Sequence, residues 1–511
     1  MSESLRPVVA VQREGARYGR APFDPDRAYP ELHGLAARID PENTAYGLVR
    51  DAFICYDRDH FGTAGWNPFG RLVAPGDVVV IKPNLVIHDR EGVADVRTHG
   101  AVVRCLLDYT RIALQGSGRI VVCDAPIQGA DFGRLVEQSG LDRIVEGCFS
   151  QSGLDVSLID LRSEWARVDD RSAFIQERVP LPGDPAGATL FDLADDSALD
   201  PISGPRTRLA VGDYRALFTS ENHGPGRHRY RFSNTVLDAD VVLNVAKMKT
   251  HQKAGVSGAL KNVVGMNTSK DYLPHFRMGA EPDGDEFPRS AYNRLAAVAR
   301  ARLQERVPLQ VWRALRRTAE LAQRGLRRRR GGDARYGLLS GSWEGNDTIW
   351  RMVVDINRIA RFGARDQRLH AEPRRRLYHI VDGIVAGEGE GPLKPRPRAL
   401  GVLLHGTDAP AIDGTMAALM GFDPERIPQI REAFAPSYGL STSGSLEATP
   451  VTVNPELAER LRGAAHFAFE PPRGWPSLRH SVRPEFLVQL AAACDILPPP
   501  IRHAGTAHDR R

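Results

Sequence analysis

Lys247, Lys249 and His251 stand at alternate positions in Lys247-Met248-Lys249-Thr250-His251, directly after the apolar run Val241-Val242-Leu243-Asn244-Val245. At period two the three share one face if the strand continues. Like charges on one face repel, so a bound anion is their natural neutraliser. Histidine adds the side chain whose ordinary pKa lies nearest neutrality. The pattern recurs: the apolar run 78–81 leads into Lys82-Pro83-Asn84, the run 120–123 into Asp124, and the run 377–381 into Asp382-Gly383.

These residue types assign provisional roles. Lys82, Asn84, Lys247, Lys261, Asn262, Lys270 and His275 are expected to hold an anionic ligand, with His251 and Lys249 as acid/base groups. A helix opening near Lys261-Asn262 would add backbone N–H groups to the anion site. Asp382 is a further acid/base candidate or, with Glu388 and Glu390, a ligand to a divalent cation. The polar and aromatic segment 265–277 is expected to cover the crevice, and Asp285 and Glu286 to pair with nearby cations. Gly387-Glu388-Gly389-Glu390-Gly391 runs into Pro392 with no following helix, so it fails as a dinucleotide fingerprint. Walker A, HExxH and GxSxG sequences are absent.

Elements of a particular kind must bring these residues together. Short continuous apolar runs read as strands buried on both faces, and here they alternate with amphipathic helices, as at 101–115 and 132–147. The expected fold is α/β: a mostly parallel sheet with flanking helices in Rossmann-like layers, a helical insertion and irregular terminal arms. In such sheets ligands bind beyond the carboxyl ends of the strands, where Lys, Asn, Asp and His collect here. The organisation reads as an N-terminal arm over 1–50, a core over 51–289, an arginine-rich helical insertion over 290–345, completion of the core over 346–430, and a C-terminal extension over 431–511.

The bulk numbers narrow the class. Of the 511 residues 42% are hydrophobic and 26% charged, which is ordinary for a globular chain, and no apolar run is long enough to span a membrane. The N-terminus lacks the apolar stretch of a secretory signal. Cys55, Cys105, Cys123, Cys148 and Cys494 form no CxxC pair, which argues against a zinc ribbon, a cysteine-held iron–sulfur cluster or a disulfide framework. The cytoplasm is the expected compartment. The net charge of +5 gathers around Arg327-Arg328-Arg329-Arg330 without interleaved aromatics. That argues against nucleic acid and leaves a solvated helical face or exposed linker, or contact with an anionic membrane surface or a partner protein.

The motifs resemble the domain of unknown function family 362. Those that carry the resemblance are Ile81-Lys82-Pro83-Asn84-Leu85, Lys247-Met248-Lys249-Thr250-His251, Gly258-Ala259-Leu260-Lys261-Asn262, Asp382-Gly383-Ile384-Val385 and Ala411-Ile412-Asp413. Lys270-Asp271-Tyr272-Leu273-Pro274-His275 is similar to a longer, bacterial-type branch. Many members carry a ferredoxin-like cysteine module; this chain lacks those cysteines, so the resemblance implies no iron–sulfur chemistry. The expectation is an enzyme acting on a small anionic metabolite, carboxylate or phosphate, by Lys/His acid–base chemistry such as isomerisation or epimerisation. The alternatives are metal-assisted hydrolysis or transfer at the same pocket, and non-catalytic anion binding or assembly.

Overall fold

Each apolar run of the central strands feeds two cores at once, and for that reason it is continuous rather than alternating. Val241, Leu243 and Val245 enter one core with Val79 and Ile81, while Val242, Ala246 and Met248 enter the other with Val80. The computed structural model describes residues 5–35, 38–89, 97–149, 153–168, 175–212, 215–289 and 340–494. Among these, nine strands form the main sheet: β1 (Val8–Gln12), β2 (Val78–Pro83), β3 (Arg119–Asp124), β4 (Asp155–Asp160), β5 (Val241–His251), β6 (Gly255–Ser257), β7 (Arg376–Glu390), β8 (Lys394–Gly406) and β9 (Val451–Val453). Their order is β9-β1-β8-β7-β5-β2-β3-β4, with β6 folded back on β5. Strands β4, β3, β2, β5 and β7 run parallel, and β8 is antiparallel to both neighbours.

Helices cover both faces. Helices α1 (Thr44–Ala52) and α2 (Gly100–Leu114) pack into the first core. The short α3 (Ala259–Asn262) joins α4 (Ile349–Phe362) and α5 (Ala409–Met420) in the second. The sequence signals at α5 hold: Asp408 accepts from the Ala411 N–H at 3.0 Å, Pro410 sits in the first turn, and Gly421 ends the helix with φ +94°. The helical region expected at 132–147 is broken at Gly140, which adopts φ +67° between Phe132–Ser139 and Leu141–Ile144.

Three expectations change. Strands β5 and β7 do not stop at Lys247 and Asp382 but run on to His251 and Glu390, and β7 forms a long hairpin with β8. The Gly/Glu run therefore lies in the strand as far as Glu390, and Gly391, in the turn just beyond it, lies against the Thr250 carbonyl too closely for any Cβ. The terminal arms are not merely irregular wrappings. Val8–Gln12 is a fully buried strand of the sheet, and Val451–Val453 pairs with it in parallel. The arginine-rich helical insertion expected over 290–345 lies outside the described residues as far as 339.

Candidate functional site at the carboxyl ends of the central strands

A β-bulge decides where the cations of β5 point. The register of β5 against β7 shifts between Lys247 and Lys249, and such a shift re-aims side chains. Lys247 reaches β7, where its Nζ donates to Asp382 Oδ2 at 3.0 Å. Lys249 reaches the end of β2, donating to Asn84 Oδ1 at 2.8 Å. Both lysines, like Lys82, are 1% exposed, so none is a strand-end lysine reaching solvent.

Two of the lysines are closed into ion pairs. Lys82 Nζ lies 2.8 Å from Asp124 Oδ1 and donates to Asn262 Oδ1 at 2.8 Å. Gly265 fits against this pair only because it has no side chain: a Cβ there would sit 2.6 Å from Lys82 Nζ. Asp382, the partner of Lys247, also accepts from the Tyr18 hydroxyl at 2.6 Å, the His99 amide at 3.1 Å and the Ile384 amide at 3.2 Å. The Tyr18 ring stacks on His99 with centroids 3.7 Å apart. Burial and then Lys247 push His99 down to about 3, so its Nδ1 is free to accept from the Ala101 amide at the start of α2.

A chain of amides runs beneath Lys249. Asn84 Nδ2 donates to Asn262 Oδ1, Asn262 Nδ2 to Asn244 Oδ1, and Asn244 Nδ2 to His379 Nδ1, at 2.8, 2.8 and 2.9 Å. Every dipole points the same way, so each bond polarises the next toward the ammonium at its end. Burial, followed by Lys247, Lys261 and Lys82, holds Lys249 well below the usual lysine range.

The side chains of Lys261 and Lys270 make no ion pair or hydrogen bond with any described residue. Burial and the charge of Lys82 push Lys261 down to about 8. Burial pushes Lys270 down to about 7, against the pull of Asp124. Beside them lie two histidines in opposite tautomers. His251 Nδ1 accepts from the amides of Lys253 and Ala254 at 3.1 and 3.3 Å, so in the neutral ring the proton sits on Nε2. His275 Nδ1 donates to the Leu273 carbonyl at 2.6 Å, which leaves Nε2 as a lone-pair acceptor. Burial, then Lys261, holds both below the usual histidine range, so both rings are neutral near pH 7.

The chain matches the family model described as a domain of unknown function (DUF362) over residues 79–181 and 211–418. It belongs to that family. Every lysine and histidine of the DUF362 site lies in the matched segments, whereas Tyr18 lies outside them. Among solved structures the chain is similar to a Thermotoga maritima protein from a structural-genomics programme, at 11% identity and a TM-score of 0.30, covering 79% of this chain. It spans 60% of that protein's length. None of the curated proteins matches it.

Set against the sequence expectations, the DUF362 site gathers Lys82, Asn84, Lys247, Lys249, His251, Lys261, Asn262, Lys270 and His275 at one end of the sheet. Three carboxylates play other parts. Asp382 has both oxygens engaged, which makes it the anchor of Lys247 rather than a base facing ligand. Glu388 is held by Arg398 at 2.7 Å and Arg396 at 3.2 Å, and Glu390 accepts from Gln252 at 2.6 Å. Among the described residues no group of three His, Cys, Asp or Glu is placed to hold a metal, so these three do not form a ligand set. The expected backbone anion site at α3 is also taken: Asp413 accepts from the Ala259 and Leu260 amides at 2.6 and 3.0 Å. Burial pushes Asp413 up to about 7. As expected, Asp285 pairs locally, with Arg277 at 3.5 Å and Thr348 at 2.6 Å.

Sequence reading missed Tyr18, His99 and Asn244. Asn244 did leave a signal, as the one polar residue inside a buried run. His99 precedes Gly100 at a helix start, where a cap is expected.

Proposed function

We propose that this DUF362 protein is an enzyme that moves a proton on a small anionic metabolite by histidine–lysine acid–base chemistry of the isomerisation or epimerisation type. The observation that carries this reading is the pair of neutral histidines with fixed and opposite tautomers. His275 Nε2 presents a lone pair and serves as base, while His251 Nε2–H serves as acid. The base takes a proton from the carbon next to the anionic group. The acid returns one to the carbanion or its enolate, and the pair resets by exchange with solvent. Lys249, Lys261 and Lys270 hold the anion and stabilise the negative charge that develops. Non-catalytic anion binding is the second reading, favoured by the amide chain that fixes Lys249 in place. A cytoplasmic setting is part of the proposal. No helix among the described residues is long and apolar enough to cross a membrane.

The test works before the substrate is identified. A panel of small hydroxy-, keto- and phospho-carboxylates is incubated with the protein in D2O and followed by proton NMR. Loss of one carbon-bound proton signal in the wild type, abolished in His275→Gln and in His251→Gln, is the expected result. Exchange that persists in both variants removes the histidines from the reaction. Binding without exchange by any member leaves the protein a binder.

A further inference from the structure

The charge of the ligand can be read from how the lysines are compensated, given the anion site proposed above. Lys261 and Lys270, whose side chains have no ion pair among the described residues, both face Lys82, and the Lys82 partner Asp124 is already engaged, pairing with Lys82 and accepting from the Leu85 amide at 2.9 Å. We propose that the site takes a dianion, a phosphate monoester or a dicarboxylate rather than a monoanion, and that the ligand enters together with protons drawn from solvent.

Among the described residues the neighbours offer no other source of negative charge. Lys261 faces Lys82 and Lys253, and Lys253 is itself cationic, with its ammonium on the Ser340 carbonyl and 5.2 Å from the Phe276 ring centroid. Lys270 faces Lys82, Lys261 and Arg162 besides Asp124; Arg162 is committed to Asp160 at 2.7 Å. Asp271, next along the chain, pairs with Arg178 at 3.0 Å. Lys249 faces Lys247, already neutralised by Asp382, and then Lys261 and Lys82. His251 and His275 bring no charge while neutral.

Empty, the site therefore lowers its own repulsion by shedding protons. A bound anion reverses the balance. A ligand with one charge leaves one of Lys261 and Lys270 uncompensated, and a dianion matches both. Because Lys270 and Lys261 lie near 7 and 8 without ligand, their protonation on binding falls in the accessible range. Affinity should then fall as pH rises above about 7, by up to about tenfold per pH unit for each proton taken up.

Isothermal titration of the full-length protein with sodium sulfate tests this at pH 7.5 and 8.5, each in two buffers of different ionisation enthalpy. Sulfate stays a dianion throughout, so any proton uptake belongs to the protein. The expected results are proton uptake on binding, weaker binding at the higher pH, and acetate binding at least about tenfold weaker than sulfate. Lys261→Met and Lys270→Met should each reduce both the uptake and the preference for sulfate. Succinate, with two separated charges, divides the class: tighter than sulfate indicates a dicarboxylate, weaker a phosphate ester. No binding of either dianion, binding equal to acetate, or sulfate binding without proton uptake overturns the inference. Silence in the D2O exchange assay with sulfate binding intact removes only the enzyme reading.

Discussion

Lys247 and Lys261 stand at the same end of the same sheet, and the chain treats them in opposite ways. Around Lys247 it builds a closed set of partners: a carboxylate 3.0 Å away, a tyrosine hydroxyl 3.0 Å away, and a histidine ring stacked behind the tyrosine. Around Lys261 the described residues supply only further cations. Lys82 belongs with the first and Lys270 with the second. A buried cation with its own counter-ion is part of the framework, because breaking such a pair strands a charge away from water. A cation left without one destabilises the empty protein, a cost retained where something outside the chain is to supply the missing charge. Lysine-rich motifs in a sequence therefore mix two kinds of residue, and only their partners tell them apart.

The comparison breaks most visibly at Asp382. Replacing it in Asp382→Ala leaves Lys247 buried and unpaired, and should cost about 3–5 kcal/mol in denaturant unfolding. The double change Asp382→Leu with Lys247→Met should recover most of that loss. A single variant that unfolds at the wild-type midpoint would place Lys247 with the open group. Next comes Tyr18→Phe, which removes a charged hydrogen bond to Asp382. A loss of about 1.5–3 kcal/mol is expected, with sulfate binding unchanged. If sulfate binding fell instead, the closed and open groups would be one system.

Dependence on pH sharpens the contrast further. Lys270 near 7 and Lys261 near 8 in the folded chain compare with about 10.4 for an unfolded lysine. From about pH 7 to 10.4 the unfolded chain thus binds more protons at these positions, so their contribution to stability rises with pH. The rise is up to about 1.4 kcal/mol per pH unit for each lysine, and below pH 7 their penalty is constant. Chemical unfolding from pH 6 to 9 should show this component in the wild type and not in Lys261→Met/Lys270→Met. An unaltered slope in the double variant would mean that both lysines are compensated. The smallest effect is the stability of Lys261→Met itself, expected within about 0.5 kcal/mol of wild type or above it, since a repulsive charge is removed. A loss as large as that of Asp382→Ala would erase the distinction.

How much of the molecule is legible in its sequence follows the same division. The strands at Val78, Arg119 and Val241 are legible because their apolar runs must serve two cores, and the gathering of Lys82, Lys247 and Lys249 at one end follows from parallel topology. Partner choice is not legible. Glu388 resembles a cation ligand in the linear chain, but the cross-strand register sets Arg396 opposite it, and register is a property of the hairpin. The α3 amides resemble an anion site in the linear chain, yet Asp413, more than a hundred positions on, occupies them. Tyr18 lies in a stretch without periodicity, and its contact with Asp382 spans 364 positions.

That last separation has a consequence for how the protein is made. Asp124, the partner of Lys82, precedes β5 in the chain, so the first ion pair and the β2–β3–β5 sheet can form while synthesis is still under way. Lys247 must wait until residue 382 has left the ribosome, and Tyr18, among the first residues to emerge, must wait with it. A nascent chain arrested before β7 would hold one lysine satisfied and the other with an unmet charge in a half-built sheet, a species poorly suited to persisting apart from chaperones.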